Sequence, residues 1–372
     1  MGKIQILHVI GGGEIGGAEE LVLALMHLLD KDKYEPHLVC LCPGPFVQVA
    51  QEQGFKASTI LMRHRLDVST IAPLQEYIRT NRINIVHTHG VRANLVARIA
   101  AKKEKLPVVT TVHSVLRYDY DTWYKAAFAR CITMMTNHHT DKFIAISRAI
   151  ADEIKTMQVP DEKIAIIHNG LDTSKFTQPR DPDEMKKELG IELGLPVVTM
   201  IARLHPVKGH EYFLQAARKI VDTGLKAEFL IIGEGFERPK LEKKVRELGL
   251  QNRVKMPGYY SPVEDIYALS DLVCVPSLME GLGMVILEAM YFNVPVVASE
   301  VGGIPEIVEH RVNGLLVKPR DYQTLANEIM NVLIDSDLAR FLCKNGQATV
   351  NNFTRQKMAC QVENIYEELI AK

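Results

Sequence analysis

Apolar and polar positions follow two alternating patterns along this chain. Short, continuous apolar runs are separated by longer stretches in which apolar residues recur with helical spacing. The runs predict buried strands, and the stretches predict amphipathic helices. A repeated strand–helix order gives parallel sheets that are covered by helices on both faces. The predicted strands lie at residues 3–10, 37–42, 84–88, 107–112, 142–146, 164–167, 197–201, 228–232, 272–275 and 295–298.

Turn-forming residues interrupt this series once. Residues 169–182 are rich in Asn, Gly, Asp and Pro, and they separate an earlier group of strands from a later one. With 372 residues, of which 47% are hydrophobic, the chain is long enough for two cores. We therefore predict an α/β protein with two Rossmann-like parallel-sheet domains, residues 1–176 and 177–354.

Charge and hydrophobicity argue against several classes of protein. The net charge is -1 and no basic–aromatic stripe is present, so nucleic acid is not an expected partner. No apolar run is long enough to span a bilayer, and residues 2–10 predict a first strand rather than a signal peptide. Six scattered cysteines are typical of reduced thiols in a cytoplasmic protein.

Two glutamates, Glu280 and Glu288, flank a predicted helix start near Met284. Glu280 would lie on the loop and Glu288 about one turn inside the helix, so the carboxylates could bind two ends of one polar ligand. Gly281 and Gly283 free the backbone N–H groups at the helix start, where the helix dipole favours an anion. Hydroxyls at both ends and phosphates between them suit a nucleotide-sugar. The alternative is a solvated helix face with a capping carboxylate.

A second glycine turn, residues 302–306, follows the next predicted strand. It predicts a second helix start that is also suited to an anion. Two such helix starts would then lie on consecutive strand–helix units of one sheet.

Another glycine-rich loop, residues 11–17, joins the first strand to a helix. Gly11, Gly13 and Gly16 satisfy the dinucleotide-binding fingerprint, for which Asp30 or Asp32 is the candidate ribose ligand. A single match of this kind is weakly specific, and both aspartates lie in a predicted solvated turn. An NAD(P)-dependent oxidoreductase and a turn without a ligand are both alternatives.

Histidines lie at the carboxyl ends of two predicted strands, where side chains face the ligand crevice of a parallel sheet. They are His87 and His89 on one strand and His113 on the next. His87 and His89 share a strand face and could hold a metal, but no third ligand is evident nearby, so we expect none. We expect His89 to lie on the side of the site that binds the acceptor substrate. For His113 a core hydrogen bond is the alternative to ligand contact.

Two cations, Arg203 and Lys208, lie on a predicted strand-to-helix loop and could converge on one diphosphate. Two exposed surface cations are the alternative. Gly233 follows a later strand, and Tyr259 or Tyr260 could stack on a base, with ordinary packing equally compatible. These three positions are candidates for the base pocket.

The predicted helix at residues 123–139 mixes large apolar side chains with cations, among them Trp123, Phe128, Lys125 and Arg130. Core packing with cationic edges is the commoner cause of such a pattern, so we expect the apolar side chains to face the core. An interfacial membrane helix is the alternative.

Taken together, residues 276–308 resemble the signature of glycosyltransferase family 4, a group of retaining nucleotide-sugar transferases with the GT-B fold. The E-x7-E motif of that family is matched by Glu280 and Glu288, and its GGxPE turn by residues 302–306. Its R-x4-K-G element is matched by Arg203 and Lys208. The resemblance covers nearly the whole chain and departs at Asn293, where the family usually has glycine.

This resemblance implies an enzyme that moves a sugar from a nucleoside-diphosphate sugar, such as a UDP-sugar, to a hydroxyl group. The acceptor would be a glycan, a lipid-linked saccharide or a small molecule, and neither a metal nor another cofactor would be needed. Two domains would face a central cleft, with the donor mostly on the second and the acceptor on the first. A last helix, at about residues 355–372, would pack back on the first domain. Location would be cytoplasmic, with possible contact at the inner membrane face.

The resemblance also implies roles for individual residues. Arg203 and Lys208 would stabilise the leaving diphosphate, and Glu288 would bind the ribose. The remaining donor contacts would be Gly16 and Gly17 near the diphosphate, His113 on the sugar, Gly233, and Glu280 with the backbone of Gly281, Leu282 and Gly283 on the sugar hydroxyls. A nucleotide-sugar binding protein without catalytic activity is a further alternative.

Overall fold

The computed structural model describes residues 2–14, 16–118, 120 and 122–371. The chain divides into two compact units. The first unit comprises residues 1–170 and 355–372, and the second comprises residues 171–354. Each unit has one parallel sheet with helices on both faces.

The first sheet has strand order β3-β2-β1-β4-β5-β6-β7, and every pairing is parallel. The order reverses between β1 and β4, which is where open parallel sheets bind ligands. Its strands are β1 Ile4–Ile10, β2 Tyr34–Cys40, β3 Lys56–Thr59, β4 Ile85–His89, β5 Val108–Val112, β6 Lys142–Ala145 and β7 Ile164–Ile166. Its helices before the second unit are α1 Gly17–Leu28, α2 Pro45–Glu52, α3 Ile71–Thr80, α4 Val91–Lys103, α5 Trp123–Thr136 and α6 Arg148–Lys155.

The second sheet has strand order β10-β9-β8-β11-β12-β13, and its order reverses between β8 and β11. Its strands are β8 Val197–Ile201, β9 Glu228–Ile232, β10 Val254–Gly258, β11 Leu272–Val275, β12 Val296–Ser299 and β13 Leu315–Val317. Its helices are α7 Pro182–Glu188, α8 His210–Asp222, α9 Arg238–Glu247, α10 Glu264–Leu269, α11 Met284–Tyr291, α12 Ile304–Ile307, α13 Tyr322–Ile334 and α14 Ser336–Val350.

The two parallel sheets confirm the predicted fold class. Strands β3, β10 and β13 were not predicted, and all three lie at sheet edges. An edge strand has one unpaired side, so it needs no continuous apolar run. The β3 sequence, Lys56–Thr59, has a single buried residue, Ala57.

The last helix, α15 Arg355–Ile370, packs on the first unit. Its residues Met358, Val362 and Tyr366 share one buried cluster with Ile6 of β1 and Leu21 of α1. The apolar face of α15 therefore completes the core on that side of the first sheet.

Helix α5 differs from the prediction. Trp123 is 81% exposed and Met135 is 67% exposed, and Tyr124 and Phe128 are exposed as well. The buried face of α5 consists mainly of small residues such as Ala126 and Ala129. The expectation that its large apolar side chains face the core is therefore wrong, because small residues fill the contact. Among the helices of the described ranges, none combines the length and apolar character needed to cross a bilayer.

Candidate active site

In the second unit, the loops after β8 and β11 bring two predicted donor residues into contact. Lys208 Nζ donates a hydrogen bond to Glu280 Oε1 over 2.6 Å, and the two side chains are only 20% and 13% exposed. Ser277 Oγ donates to the same carboxylate oxygen over 2.8 Å. A half-buried, charge-assisted pair of this kind is much better ordered than a surface ion pair. The structure thus places Lys208 and Glu280 together at the point where the strand order reverses.

Glycines allow these loops to touch backbone to backbone. Gly209 has φ +77°, and a Cβ there would lie 1.9 Å from the carbonyl oxygen of Pro276. Gly302 has φ +56°, and a Cβ there would lie 1.9 Å from the carbonyl oxygen of Glu280. No larger residue fits at either position, so the glycines fix the place of Glu280 relative to Lys208.

Helix α11 begins at Met284, as predicted, and follows Gly283 in the left-handed conformation with φ 101°. Glu288 lies on this helix, and its Oε2 accepts a hydrogen bond of 2.7 Å from the hydroxyl of Tyr267. Tyr267 is fully buried on α10. Burial is the larger cause, and the nearby Glu288 carboxylate the smaller cause, that raises the pKa of Tyr267 well above its usual value. Tyr267 therefore orients Glu288. Nothing in the sequence identifies this tyrosine, because the contact joins two separate helices.

The second glycine turn is not the anion-binding helix start that we expected. Helix α12 has a single turn, Ile304–Ile307. The backbone N–H of Gly303 donates to the carbonyl oxygen of Glu280 over 3.2 Å, so it is already paired. The turn supports the Glu280 loop instead.

The loop after β9 lies against the loop that carries Arg203. A Cβ on Gly233 would lie 2.0 Å from the carbonyl oxygen of Ala202. Arg203 itself is exposed, and no described residue forms an ion pair with it. Tyr260 donates its hydroxyl hydrogen to Asp265 within the same unit, whereas Tyr259 is 78% exposed. The convergence of Arg203 with Lys208 stays a prediction, and Tyr259 is the better candidate for stacking on a base.

In the first unit, the predicted histidines form part of a larger cluster. His8 on β1 lies directly opposite His87 on β4, and His89 follows on the same strand face. Ring nitrogens of these three buried residues all lie within 4.8 Å of one another. The expectation that no third ligand lies near His87 and His89 is therefore wrong, since β1 supplies His8.

Hydrogen bonds account for most nitrogens in this cluster. His87 pairs with the Tyr366 hydroxyl over 2.6 Å through Nδ1 and with Thr111 Oγ1 over 2.7 Å through Nε2. His89 pairs with His8 over 3.2 Å through Nε2 and with His113 over 3.2 Å through Nδ1. A metal ion would have to break several of these bonds, so the pairing favours a hydrogen-bonded network.

His89 and His113 also line a cavity of about 460 Å³ that lies within the first unit. Gly11, Gly12 and Arg92 form another part of its wall, which also includes apolar side chains and the carboxylates of Glu19 and Glu153. A cavity of this size and mixed character is typical of a site for a small organic ligand. Its position at the carboxyl ends of β1, β4 and β5 agrees with the reversal of strand order.

The glycine loop after β1 is occupied by a carboxylate of the protein. A Cβ on Gly12 would lie 2.7 Å from Glu19 Oε1, and one on Gly16 would lie 3.2 Å from Glu19 Oε2. Glu19 thus lies where the dipole of α1, which begins at Gly17, favours negative charge. Ile15 of this loop lies outside the described residues. Contact of Gly16 and Gly17 with a diphosphate stays a prediction.

The candidate ribose ligands of the dinucleotide fingerprint lie at the wrong edge of the sheet. Asp30 and Asp32 precede β2, whereas the glycine loop follows the carboxyl end of β1. Because β1 and β2 are parallel, the two positions are separated by the length of a strand. The Asp30 carboxylate instead accepts from the backbone N–H of Asp32. Asp30 and Asp32 are therefore not placed to bind the ribose of a dinucleotide held at the glycine loop.

Two further pairs of aspartates with the same spacing as Asp30 and Asp32 are Asp181 with Asp183 and Asp335 with Asp337, and they also have local structural roles. Asp181 caps α7, and its partner Asp183 lies in the first turn of that helix. Asp335 caps α14 in the same way. These carboxylates satisfy backbone N–H groups at helix starts.

Two Rossmann-like sheets, with polar residues at the carboxyl edge of each, are the architecture of the GT-B glycosyltransferases, and the comparisons with known proteins establish that class. The model of the group 1 glycosyl transferases matches residues 181–349, and the model of Glycosyltransferase Family 4 matches residues 15–175. The chain belongs to this group 1/family 4 of glycosyltransferases, and it is an enzyme of that class.

Named relatives align with most of the chain. The chain is 27% identical to the UDP-Gal:alpha-D-GlcNAc-diphosphoundecaprenol alpha-1,3-galactosyltransferase of Escherichia coli, covering 99% of this chain and 98% of that protein. It is also 27% identical to the N-acetyl-alpha-D-glucosaminyl L-malate synthase of Bacillus anthracis, covering 82% and 80% respectively. Among solved structures, Anabaena Alr3699/HepE in complex with UDP has a TM-score of 0.87 and 25% identity, covering 98% of this chain and 100% of that chain.

Proposed function

We propose that this enzyme transfers a sugar from a UDP-sugar, with retention of anomeric configuration, to a hydroxyl of a lipid-linked saccharide. The observation that carries the proposal is the Lys208–Glu280 pair at the sheet reversal of the second unit. A lysine beside an acid supplies one group for phosphate and one for sugar hydroxyls. The UDP and UDP-glucose complexes of the Anabaena protein support the choice of nucleotide.

The ion pair changes partners when the donor binds. Lys208 moves its charge to the diphosphate, where negative charge grows as the bond to the sugar breaks. Glu280 then accepts hydrogen bonds from the sugar hydroxyls. The anomeric carbon loses its bond to the diphosphate oxygen and gains a bond to the acceptor oxygen on the same face. The proton of the acceptor hydroxyl passes to the leaving diphosphate, so neither a metal nor a separate cofactor is required.

The acceptor saccharide binds in the cavity of the first unit. His89 and His113 lie at its wall. Both ring nitrogens of His89 are already paired, so His113, through Nδ1, is the histidine that can form a hydrogen bond with a sugar hydroxyl. The E. coli relative is named for an acceptor that carries a diphosphate and a polyprenol. Arg92, on the wall of the same cavity, is a suitable partner for such a phosphate.

A lipid-linked acceptor requires contact with a membrane surface, and α5 is the candidate. Its exposed Trp123, Tyr124 and Phe128 lie beside the exposed Lys125. Arg65 packs at 5.5 Å over the ring of Tyr120, which lies three positions before α5 in the chain, and the loop of Arg65 also carries exposed Leu61 and Leu66. Aromatic and aliphatic side chains with cationic neighbours are typical of proteins that bind anionic bilayers at the interface.

Ligand-dependent stability and product analysis test this function. UDP-sugars should raise the melting temperature more than GDP- or ADP-sugars, because ligands that bind the folded state stabilise it. The product formed with a GlcNAc-diphosphate lipid should contain the new sugar in the anomeric configuration of the donor, measured by NMR. Stabilisation by NAD without stabilisation by any nucleotide-sugar would overturn the proposal. Donor binding without transfer to any acceptor would identify a binding protein instead.

A further inference from the structure

A chain of three histidines leads from the middle of the first sheet to the cavity. His8 Nδ1 lies 3.2 Å from His89 Nε2, and His89 Nδ1 lies 3.2 Å from His113 Nε2. The three rings are supplied by β1, by β4 and by the loop that follows β5. His8 is fully buried, whereas His113 is half-buried at the cavity wall. The chain thus couples an interior residue to a predicted ligand contact.

All three rings are neutral at physiological pH. Burial lowers the pKa of His8 to about 3 and that of His113 to about 4, and it holds the pKa of His89 well below the usual value. A neutral imidazole has one N–H donor and one bare nitrogen acceptor. Therefore the direction of the His8–His89 hydrogen bond also determines the direction of the His89–His113 hydrogen bond.

The remaining nitrogen of His8 decides between the two directions. His8 Nε2 is buried and has no hydrogen-bond partner among the described residues. If the chain ran from His113 towards His8, that nitrogen would carry a buried proton without an acceptor. Buried N–H groups without a partner are rarer than unpaired acceptors. The proton of His8 therefore belongs on Nδ1, and His8 donates to His89.

We propose that His8 and His89 are positioning residues that hold His113 in the tautomer with its proton on Nδ1. His89 donates from Nδ1 to His113 Nε2, so His113 must carry its own proton on Nδ1. In this tautomer His113 can donate a hydrogen bond to an oxygen atom of the sugar in the cavity. The other tautomer would direct a lone pair at that oxygen. The consequence for catalysis, though not the tautomer itself, rests on the proposed function.

Long-range ¹⁵N spectra of histidine-labelled protein test the tautomer directly. The signals of His113 are assigned by their loss in His113→Gln. His8→Asn retains a donor near the position of Nδ1, whereas His8→Leu removes it. The matched control is His37→Leu, because His37 is equally buried in the same sheet but pairs with Gln5 and Tyr77.

We expect wild-type His113 to show a protonated Nδ1 and a bare Nε2. In His8→Leu, part of the His113 population should change to the tautomer with its proton on Nε2. The same variant should lower kcat by about tenfold, which corresponds to the loss of one hydrogen bond. His8→Asn should restore both properties, and His37→Leu should change neither. KM for the donor should stay within about twofold in all these variants, since one hydrogen-bond geometry and not the site is altered.

Three results would overturn the inference. Wild-type His113 could carry its proton on Nε2, or His37→Leu could lower kcat as much as His8→Leu does. Stoichiometric zinc that disappears in His8→Leu would show that the cluster is a metal site. If no nucleotide-sugar is a substrate, the proposed function fails, but the NMR measurement still decides the tautomer. If His8→Leu does not fold, the wild-type and His8→Asn spectra remain decisive.

Discussion

Lys208 and Glu280 form a 2.6 Å ion pair although they lie 72 positions apart in the chain. Both residues are predicted to bind the donor, one at the phosphates and the other at the sugar. In the structure each neutralises the other, so neither charge is left uncompensated in a half-buried place. A donor that binds both groups must replace this ion pair, and the pair therefore links phosphate binding to sugar binding.

The ion pair leads to a prediction on catalysis. Lys208→Ala should lower kcat by about 100- to 1,000-fold, because the cation that we propose to stabilise the leaving group is lost. Glu280→Ala should also abolish most transfer, because the sugar is no longer positioned. Expressed as activation free energy, the loss in the double variant should be smaller than the sum of the losses in the two single variants, since the two residues are in direct contact. Steady-state transfer assays measure all three effects. Lys243→Ala, an exposed lysine of the same unit, is the control, and wild-type turnover in either single variant would refute the assigned roles.

The Tyr267–Glu288 hydrogen bond leads to a prediction on donor affinity. Tyr267→Phe should raise KM for the UDP-sugar by up to about tenfold and leave kcat nearly unchanged, because loss of one hydrogen bond misorients a carboxylate that we propose contacts only the ribose. Calorimetry with UDP should show the same loss of affinity. Tyr322→Phe is a conservative control elsewhere in the unit. A fall in kcat without a change in affinity would place Glu288 at the reacting sugar instead.

Neutral buried histidines lead to a prediction on stability. The pKa values of His8, His37 and His113 fall from about 6.5 to about 3, 4 and 4 respectively. Below pH 6.5 the unfolded chain therefore binds more protons than the folded chain. The contribution of these neutral histidines to the free energy of unfolding is complete above pH 6.5 and declines as the pH falls towards 4. Each such histidine contributes a slope of up to about 1.4 kcal/mol per pH unit.

Urea unfolding of the full chain between pH 7.5 and pH 5 measures this slope. His37→Asn should make the free energy of unfolding less dependent on pH, because one of these histidines is removed. The same change at the exposed His64 is the matched control. An identical slope in His37→Asn and the wild-type protein would contradict the prediction.

The exposed surface of α5 leads to a prediction on membrane binding. Replacement of Trp123 and Phe128 by serine should weaken co-sedimentation with phosphatidylglycerol vesicles by at least about tenfold, because two large apolar side chains no longer enter the interface. Transfer to a water-soluble acceptor should be unaffected. The control is Phe341→Ser, an exposed phenylalanine on α14. Equal binding of both proteins, or no binding by the wild-type protein, would exclude α5 as the membrane contact.

Asn293 illustrates a local feature that the sequence leaves ambiguous. Family members usually have glycine there, and the residue adopts φ 57° at the end of α11. Asparagine tolerates the left-handed conformation better than most residues do, so the same turn forms. Asn293 can therefore form this turn between α11 and β12 without a glycine.

The sequence by itself determined the order of strands and helices, the two-domain α/β class and the start of α11. These features depend on apolar periodicity and on glycine, whose effects act over a few neighbouring residues. It did not determine edge strands such as β3, whose polar residues give no periodic signal. It also did not determine the direction in which Trp123 points, because that depends on which face of α5 packs against the rest of the unit.

Only the tertiary structure decided which polar groups meet. The pairing of Lys208 with Glu280, of Tyr267 with Glu288, and of His8 with His89 joins residues on different loops, helices and strands respectively. Such contacts depend on strand order and register, which local sequence patterns do not encode. Parallel strands place their carboxyl ends at one edge of a sheet, and there distant residues become neighbours.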